Sequence, residues 1–279
     1  MRRFAAMGVL SIAILLPWVA KLVHSSPHET SFGQKPFADS AGRPFSSPPS
    51  FFEGFDRLDL DRWFVSDGWN NGAWQGCTWS ARNLRVAGGV LTLAIDDTPA
   101  QERAYSCAEI QTRAVYGYGL YEARIRGAGG AGTNTAMFTY TGSRPGESQD
   151  EIDFEFIGKS PTGISTNYWR DGADHGQTAQ LNADGTRAFV TYAFDWRADS
   201  LRYYVNGRLV RVVGPDNLPR PAQNLFLSLW IERGTTQAWL GRFAYPGRPV
   251  TAAIDWIAYT RPGERCRFPQ SISCAPGYR

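Results

Sequence analysis

The chain has 279 residues and a formal net charge of +3, which is enough length for one large domain or two small ones with an ample core. Its basic residues are scattered, with no run beyond Arg2–Arg3, so the concentrated basic stripe that a nucleic-acid partner requires is missing. Aromatic residues make up 14%, and the amphipathic faces of Trp and Tyr suit sugar stacking and sandwich cores alike.

The N-terminus begins with Arg2 and Arg3, followed by an apolar stretch from Phe4 to Ala20 and small residues near Val23–Ser25. That pattern predicts a signal peptide over residues 1–25. If it stays uncleaved, the same stretch becomes a membrane anchor. In both cases the body of the protein is expected outside the cytoplasm. Residues 26–50 carry Ser, Pro and Gly without periodicity and read as a flexible linker.

From Phe51 onward, short strand-like runs recur with turn residues between them. They include Val90–Ile95, Tyr121–Arg126, Ala136–Tyr140, Phe189–Trp196, Leu201–Val205, Leu225–Trp230 and Ile254–Tyr259. Asn206-Gly207 between two of them is a strong hairpin signal. The glycine-rich segment 127–132 reads as a hairpin loop rather than a phosphate cradle. No long helical period intervenes. The expectation is an all-β chain folded as one antiparallel β-sandwich or jelly roll over residues 51–262, with no internal repeat and a C-terminal tail over 263–279.

The four cysteines, Cys77, Cys107, Cys266 and Cys274, agree with an exported chain and suggest two bridges, most simply between near pairs. Zinc is disfavoured, because no Cys-x-x-Cys pair exists and His175 is the only histidine in the body of the chain. The same scarcity of histidine argues against a Ser-His-Asp site.

Residues 150–156 read Asp-Glu-Ile-Asp-Phe-Glu-Phe. Glu151, Asp153 and Glu155 alternate with Ile152, Phe154 and Phe156, the period of a strand with one apolar and one acidic face. Like charges so placed repel, and no basic residue is interleaved to neutralise them. A merely solvated strand face and a calcium site are the competing readings, although a regular strand makes a poor calcium cage. Paired-carboxylate catalysis on a sugar accounts for the cluster better. Glu151 and Glu155 lie roughly 13 Å apart by strand rise, so their side chains must lean together to act on one bond.

Glu-Ile-Asp-Phe-Glu resembles the signature of glycoside hydrolase family 16, in the short form found in the bacterial lichenases. Supporting segments are Cys77-Thr78-Trp79, residues 116–122 (Tyr-Gly-Tyr-Gly-Leu-Tyr-Glu), residues 138–142 (Phe-Thr-Tyr-Thr-Gly), residues 191–196 (Thr-Tyr-Ala-Phe-Asp-Trp) and Trp239-Leu240-Gly241. The resemblance implies a concanavalin-like jelly roll with a concave glucan cleft and a retaining double displacement. In it Glu151 is the nucleophile, Glu155 the general acid/base and Asp153 the assisting carboxylate. It also pairs Cys77 with Cys107. It implies no cofactor for catalysis, but a structural calcium held by the carbonyls of Gly54 and Gly89 and by Asp255, a residue that otherwise reads as a strand-end turn.

Asn71, Glu109, Asn167, Tyr168 and Trp230 are implied to contact the sugar, with Phe138 and Tyr140 lining the cleft and Trp239 at its edge. By strand alternation Trp169 then points away from it. Gln149 and Gln111 depart from the lichenase pattern, which has Trp and Arg there, and should alter subsite preference. The expected enzyme is a monomer that cuts mixed-linkage β-glucan or a glucose-rich bacterial exopolysaccharide such as succinoglycan. A transglycosylase and a non-catalytic lectin-like module are the alternatives.

Overall fold

Residues with branched and aromatic side chains at alternate positions dominate the chain after Phe51, and they assemble into strands throughout. The computed structural model describes residues 47–142, 149–220, 223–234 and 237–278. The expected signal segment 1–25 and the linker up to residue 46 lie outside the described residues.

In chain order the strands are β1 (Phe51–Glu53), β2 (Trp63–Val65), β3 (Cys77–Trp79), β4 (Leu84–Ala87), β5 (Val90–Ile95) and β6 (Tyr105–Thr112). Next come β7 (Gly119–Arg126), β8 (Thr133–Tyr140), β9 (Glu151–Ile157), β10 (Gly163–Arg170), β11 (Ala173–Asp174) and β12 (Gln177–Gln180). The last are β13 (Val190–Trp196), β14 (Leu201–Val205), β15 (Arg208–Val213), β16 (Asn224–Ile231) and β17 (Val250–Thr260), with a short α-helix, α1 (Gln237–Leu240), before β17. Among the described residues no helix is long and apolar enough to cross a membrane.

Two sheets result. The first runs β15-β14-β13-β7-β17-β5-β4, with β1 added on β17. The second runs β11-β10-β9-β8-β16-β6-β2, with β12 on β10 and β3 on β6. All named pairings are antiparallel except β3 with β6, and the bridge between Cys77 and Cys107 ties those two strands together. The segment 127–132 connects β7 of the first sheet to β8 of the second. It is therefore a crossover between sheets, not the hairpin loop that its glycines suggested. Asn206 and Gly207 do form the hairpin between β14 and β15, both with positive φ (48° and 75°), as a two-residue turn matched to strand twist requires.

The core lies between the sheets. From β9, Ile152, Phe154 and Phe156 point inward and are almost fully buried. The Phe154 ring meets Tyr192 of β13 at 5.4 Å and Tyr203 of β14 edge-on at 5.3 Å. Burying the apolar half of β9 in this way fixes its register, because a one-residue slip would drive three carboxylates into the core.

The tail closes on the opposite side of the first sheet. Cys266 and Cys274 are bridged, and Ile272 packs with Leu120, Ala193 and Tyr204 on that sheet's outer face. The Ile272 N–H donates to Glu122 Oε1 at 2.8 Å, and the Tyr278 hydroxyl to Asp195 Oδ2 at 2.9 Å.

Candidate active site

Strand register places the acidic face of β9 in the middle of the second sheet, directed away from the core. Opposite Glu151, Asp153 and Glu155 stand Tyr140, Phe138 and Ala136 of β8 on one side. On the other side stand Trp169, Asn167 and Ser165 of β10. Directly paired residues in an antiparallel ladder share a face, and the series continues outward through Asn224, Phe226 and Ser228 of β16 to Gln111 and Glu109 of β6. The three acids thus stand on a floor of aromatic and amide side chains, with Phe138 stacked on Phe226 at 4.6 Å.

The residue before the strand is its anchor. Asp150 is fully buried, accepts from Arg170 Nη1 at 2.8 Å, and takes the backbone N–H groups of Asp171 and Arg220 at 3.1 and 2.7 Å. A buried carboxylate with these donors is well satisfied, and it pins the strand's first turn-off point beside Glu151.

Burial and mutual repulsion set the charges. Glu151 is pushed up to about 7, by burial first and by the charge of Glu155 in addition, against a hydrogen bond from Asp153 that favours its ionised form. Asp153 is pushed well above the usual carboxylate range by burial and by both neighbouring acids. Of this close pair, Asp153 therefore keeps the proton and donates it to a Glu151 carboxylate. Glu155 Oε1 accepts from Asn134 Nδ2 at 2.8 Å. Glu109 is 3% exposed and accepts from the Ser66 hydroxyl at 2.7 Å. Burial raises its pKa to about 8, so at neutral pH it is a protonated donor rather than a further charge.

The other residues singled out in the sequence fall as follows. Glu109, Phe138, Tyr140, Asn167 and Trp230 share the acidic face by register. Trp230 makes an edge contact with Trp74 at 5.0 Å and lies 6.1 Å from Trp239 on α1. Asn71 sits in the exposed loop before β3, its backbone N–H held by Gln75 Oε1 at 2.7 Å. Tyr168 is a correction. It pairs with Ile152 on the core side, is 6% exposed and stacks on His175 at 4.3 Å. Trp169, expected to point away, stands opposite Glu151 on the acidic face instead. The reason is parity, since Asn167 opposite Asp153 forces its neighbour Tyr168 inward.

Three participants were not anticipated: Asn134, Phe226 and Trp74. Asn134 and Phe226 carry a signal, because extending the alternation of Phe138 and Tyr140 two steps back reaches Asn134, and Trp230 two steps back through Ser228 reaches Phe226. Trp74 lies in a loop without period, and nothing in the sequence marks it.

Gly54, Gly89 and Asp255 line one pocket on the outer face of the first sheet, far from the acids, together with Arg124 and Phe52. Asp255 sits at a register shift within β17, not at a strand end, and its carboxylate accepts from Arg124. Carbonyl and carboxylate oxygens are the donors a hard cation such as calcium prefers, so the set fits in kind, although the Asp255 carboxylate is engaged by the Arg124 guanidinium. Among the described residues no cluster of three or more His, Cys, Asp or Glu could hold a metal.

A row of acids in two protonation states, on the open face of a β-sandwich, is the equipment of a glycoside hydrolase. Comparison with known proteins gives the same class and narrows it. The model of "Glycosyl hydrolases family 16" matches residues 71–258, and the chain belongs to that family. It is 42% identical over 227 residues to the endo-1,3-1,4-beta-glycanase ExoK of Rhizobium meliloti (strain 1021), covering 81% of this chain and 84% of that protein. It is 36% identical to a beta-glucanase of Bacillus subtilis (strain 168), over 81% of this chain and 92% of the relative. Among solved structures, a beta-1,3-1,4-glucanase (lichenase) from a mouse hindgut metagenome superposes with a TM-score of 0.71 at 38% identity, covering 76% of this chain and 99% of that one.

Proposed function

We propose that this glycoside hydrolase cuts internal bonds of a β-1,3-1,4-linked glucan or of a glucose-rich bacterial exopolysaccharide, with retention of anomeric configuration. Glu151 is the nucleophile, Glu155 the general acid/base, and Asp153 the donor that stabilises the Glu151 charge. The observation that carries this reading is the row itself: Glu151, Asp153 and Glu155 stand on one face of β9, Asp153 hydrogen-bonds to Glu151, and Asn134 holds Glu155 beyond them. An ionised carboxylate and a separate protonatable one are what a double displacement needs.

In the first step a Glu151 oxygen attacks the anomeric carbon as the bond to the leaving oxygen breaks, and Glu155 gives that oxygen its proton. In the second, water replaces Glu151 on the anomeric carbon and returns a proton to Glu155. Glu109, Phe138, Tyr140, Asn167, Trp230 and Trp239 grip the sugars, supported by their common face and by the wall that Trp74, Trp230 and Trp239 build. The similarity to endo-1,3-1,4-beta-glycanases supports the substrate class. Reducing-sugar release from barley-type glucan, laminarin, xyloglucan and succinoglycan tests it, with NMR of the first-formed anomer. Release from mixed-linkage glucan or succinoglycan as the β-anomer is expected. An initial α-anomer, or no release from either, refutes the reading.

The proposal extends to the rest of the molecule: an exported monomer with a structural calcium at Gly54, Gly89 and Asp255. Calcium should raise the melting temperature over that in chelator without changing kcat, and Asp255→Ala should remove the difference. Cell fractionation and N-terminal sequencing of the mature protein test export.

A further inference from the structure

Asn134 is fully buried on the acidic face of β8, which pairs with β9, and is directly opposite Trp230 of β16. Its amide Nδ2 donates to Glu155 Oε1 at 2.8 Å, while its Oδ1 has no hydrogen-bond partner among the described residues. The opposite orientation of the amide would strand both of its hydrogens in the same buried space, a larger loss than one unpaired acceptor.

Resting on the assignment of Glu155 as general acid/base, we propose that Asn134 is its positioning residue: the amide N–H occupies Oε1 and so confines the transferable proton to Oε2. A carboxyl group has two equivalent oxygens, and only the one facing the glycosidic oxygen can use the proton productively. An oxygen that already accepts an N–H is the weaker base, so the proton resides on the other. As the Oε2–H bond breaks and the leaving oxygen gains that proton, negative charge spreads onto Oε1, where the amide is already aimed. When water attacks the glycosyl-enzyme, the proton it sheds returns to Oε2 while the same N–H holds Oε1. Asn134 touches neither reacting bond and serves both half-reactions through Glu155.

Strand register sets the following described residues around Glu155. Asp153 and, beyond it, Glu151 share its strand and face. β10 and β8 set Ser165 and Ala136 opposite it, neither of which titrates. β16 contributes Ser228 and Trp230, with Glu232 just past its end, and β6 contributes Glu109 beyond Ser228. Asn134 is a neutral donor in that acidic company. Removing it withdraws a hydrogen bond from the ionised form of Glu155, which raises the acid's pKa.

The test uses the full chain, with Asn134→Leu, Asn134→Asp and Asn134→Ser, and two substrates. One is the natural glucan, and the other a 2,4-dinitrophenyl β-glycoside of a glucan fragment, whose leaving group needs no proton. For Asn134→Leu, kcat/KM on glucan should fall about tenfold and its basic limb move up by about one pH unit, while kcat/KM for the dinitrophenyl substrate, which reports the first half-reaction alone, stays within about twofold. Asn134→Asp should move the basic limb further, since two carboxyl groups then share one proton. Asn134→Ser, which keeps a shorter donor, should recover part of the glucan rate. Should Leu fail to fold, the Asp and Ser variants carry the same comparison. Equal losses on both substrates, or an unmoved basic limb, would overturn the proposal. Glu155→Ala serves as the control. If it fails to spare kcat/KM for the dinitrophenyl substrate, the acid/base assignment falls. If it spares that substrate while the Asn134 variants do not, only the role of Asn134 falls.

Discussion

At the scale of single residues, the acids of β9 divide the work by environment rather than by type. Asp153 is buried and Glu151 half-buried, yet the hydrogen bond between them makes one the proton holder and the other the anion. Replacing the anion by Glu151→Ala should abolish hydrolysis with the fold intact by circular dichroism. Added azide should restore partial turnover with an inverted product, detected by NMR, because a small anion can then attack from the vacated side. Asp153 is tested by the acid limb of the kcat/KM profile. Without a donor, the ionised form of Glu151 loses support, its pKa rises, and the limb moves to higher pH. Asp153→Ala should shift it by about one unit, while Asp153→Asn, which keeps a donor, leaves it near its wild-type position. Identical shifts for both variants would deny Asp153 its donor role.

At the scale of elements, β9 works because it is locked from three directions. Its apolar face is sealed against Tyr192 and Tyr203, its edges are taken by β8 and β10, and its leading end is held by Asp150. Asp150→Ala would leave the half-buried Arg170 with only Asp171 among the described residues and strip the backbone N–H groups of Asp171 and Arg220 of their acceptor, at a cost of about 1–3 kcal/mol. Urea denaturation should register that loss, and a change below about 1 kcal/mol would show the anchor to be dispensable. The strand itself was legible, since apolar and acidic residues alternate from Glu151 to Phe156 and only a strand separates them onto two faces. β10 was not read correctly. Asn167, Tyr168 and Trp169 are all plausible sugar contacts by side chain alone, and only the pairing of Asn167 with Asp153 settles which of them face outward. Asn134 escaped notice for a related reason: the run was begun at Ala136, two residues short of where β8 brings an amide to Glu155.

At the scale of the whole molecule, buried acids give stability a direction in pH. Glu122, under the tail, is raised from 4.5 to about 7, by burial above all, and Glu109 to about 8. The unfolded chain ionises first, near its ordinary value, so above that pH the folded chain binds more protons and stability falls as pH rises toward the folded values. Melting temperature should therefore be higher near pH 5 than near pH 8. Glu122→Gln should recover roughly 2–3 kcal/mol at pH 8, or about 5 °C and more, and almost nothing at pH 4. Equal effects at both pH values would show that ionisation of Glu122 is not what costs stability. The two-sheet architecture was foreseeable from the recurrent short strands and the hairpin at Asn206-Gly207. The docking of the tail was not, because residues 263–278 form no regular strand and their one signal, a pair of cysteines, says where the tail folds on itself but not what it lies upon.

That docking has a practical consequence. β1 begins on the first sheet and the tail ends over the outside of the same sheet, while the acids look out from the second. The C-terminal end of the described chain thus lies on the back of the domain. A solid support, a fluorescent label or a fused module attached at the C-terminus would leave the working side unobstructed, so that an enzyme immobilised through Tyr278 should digest a long polymer nearly as fast as it does free in solution.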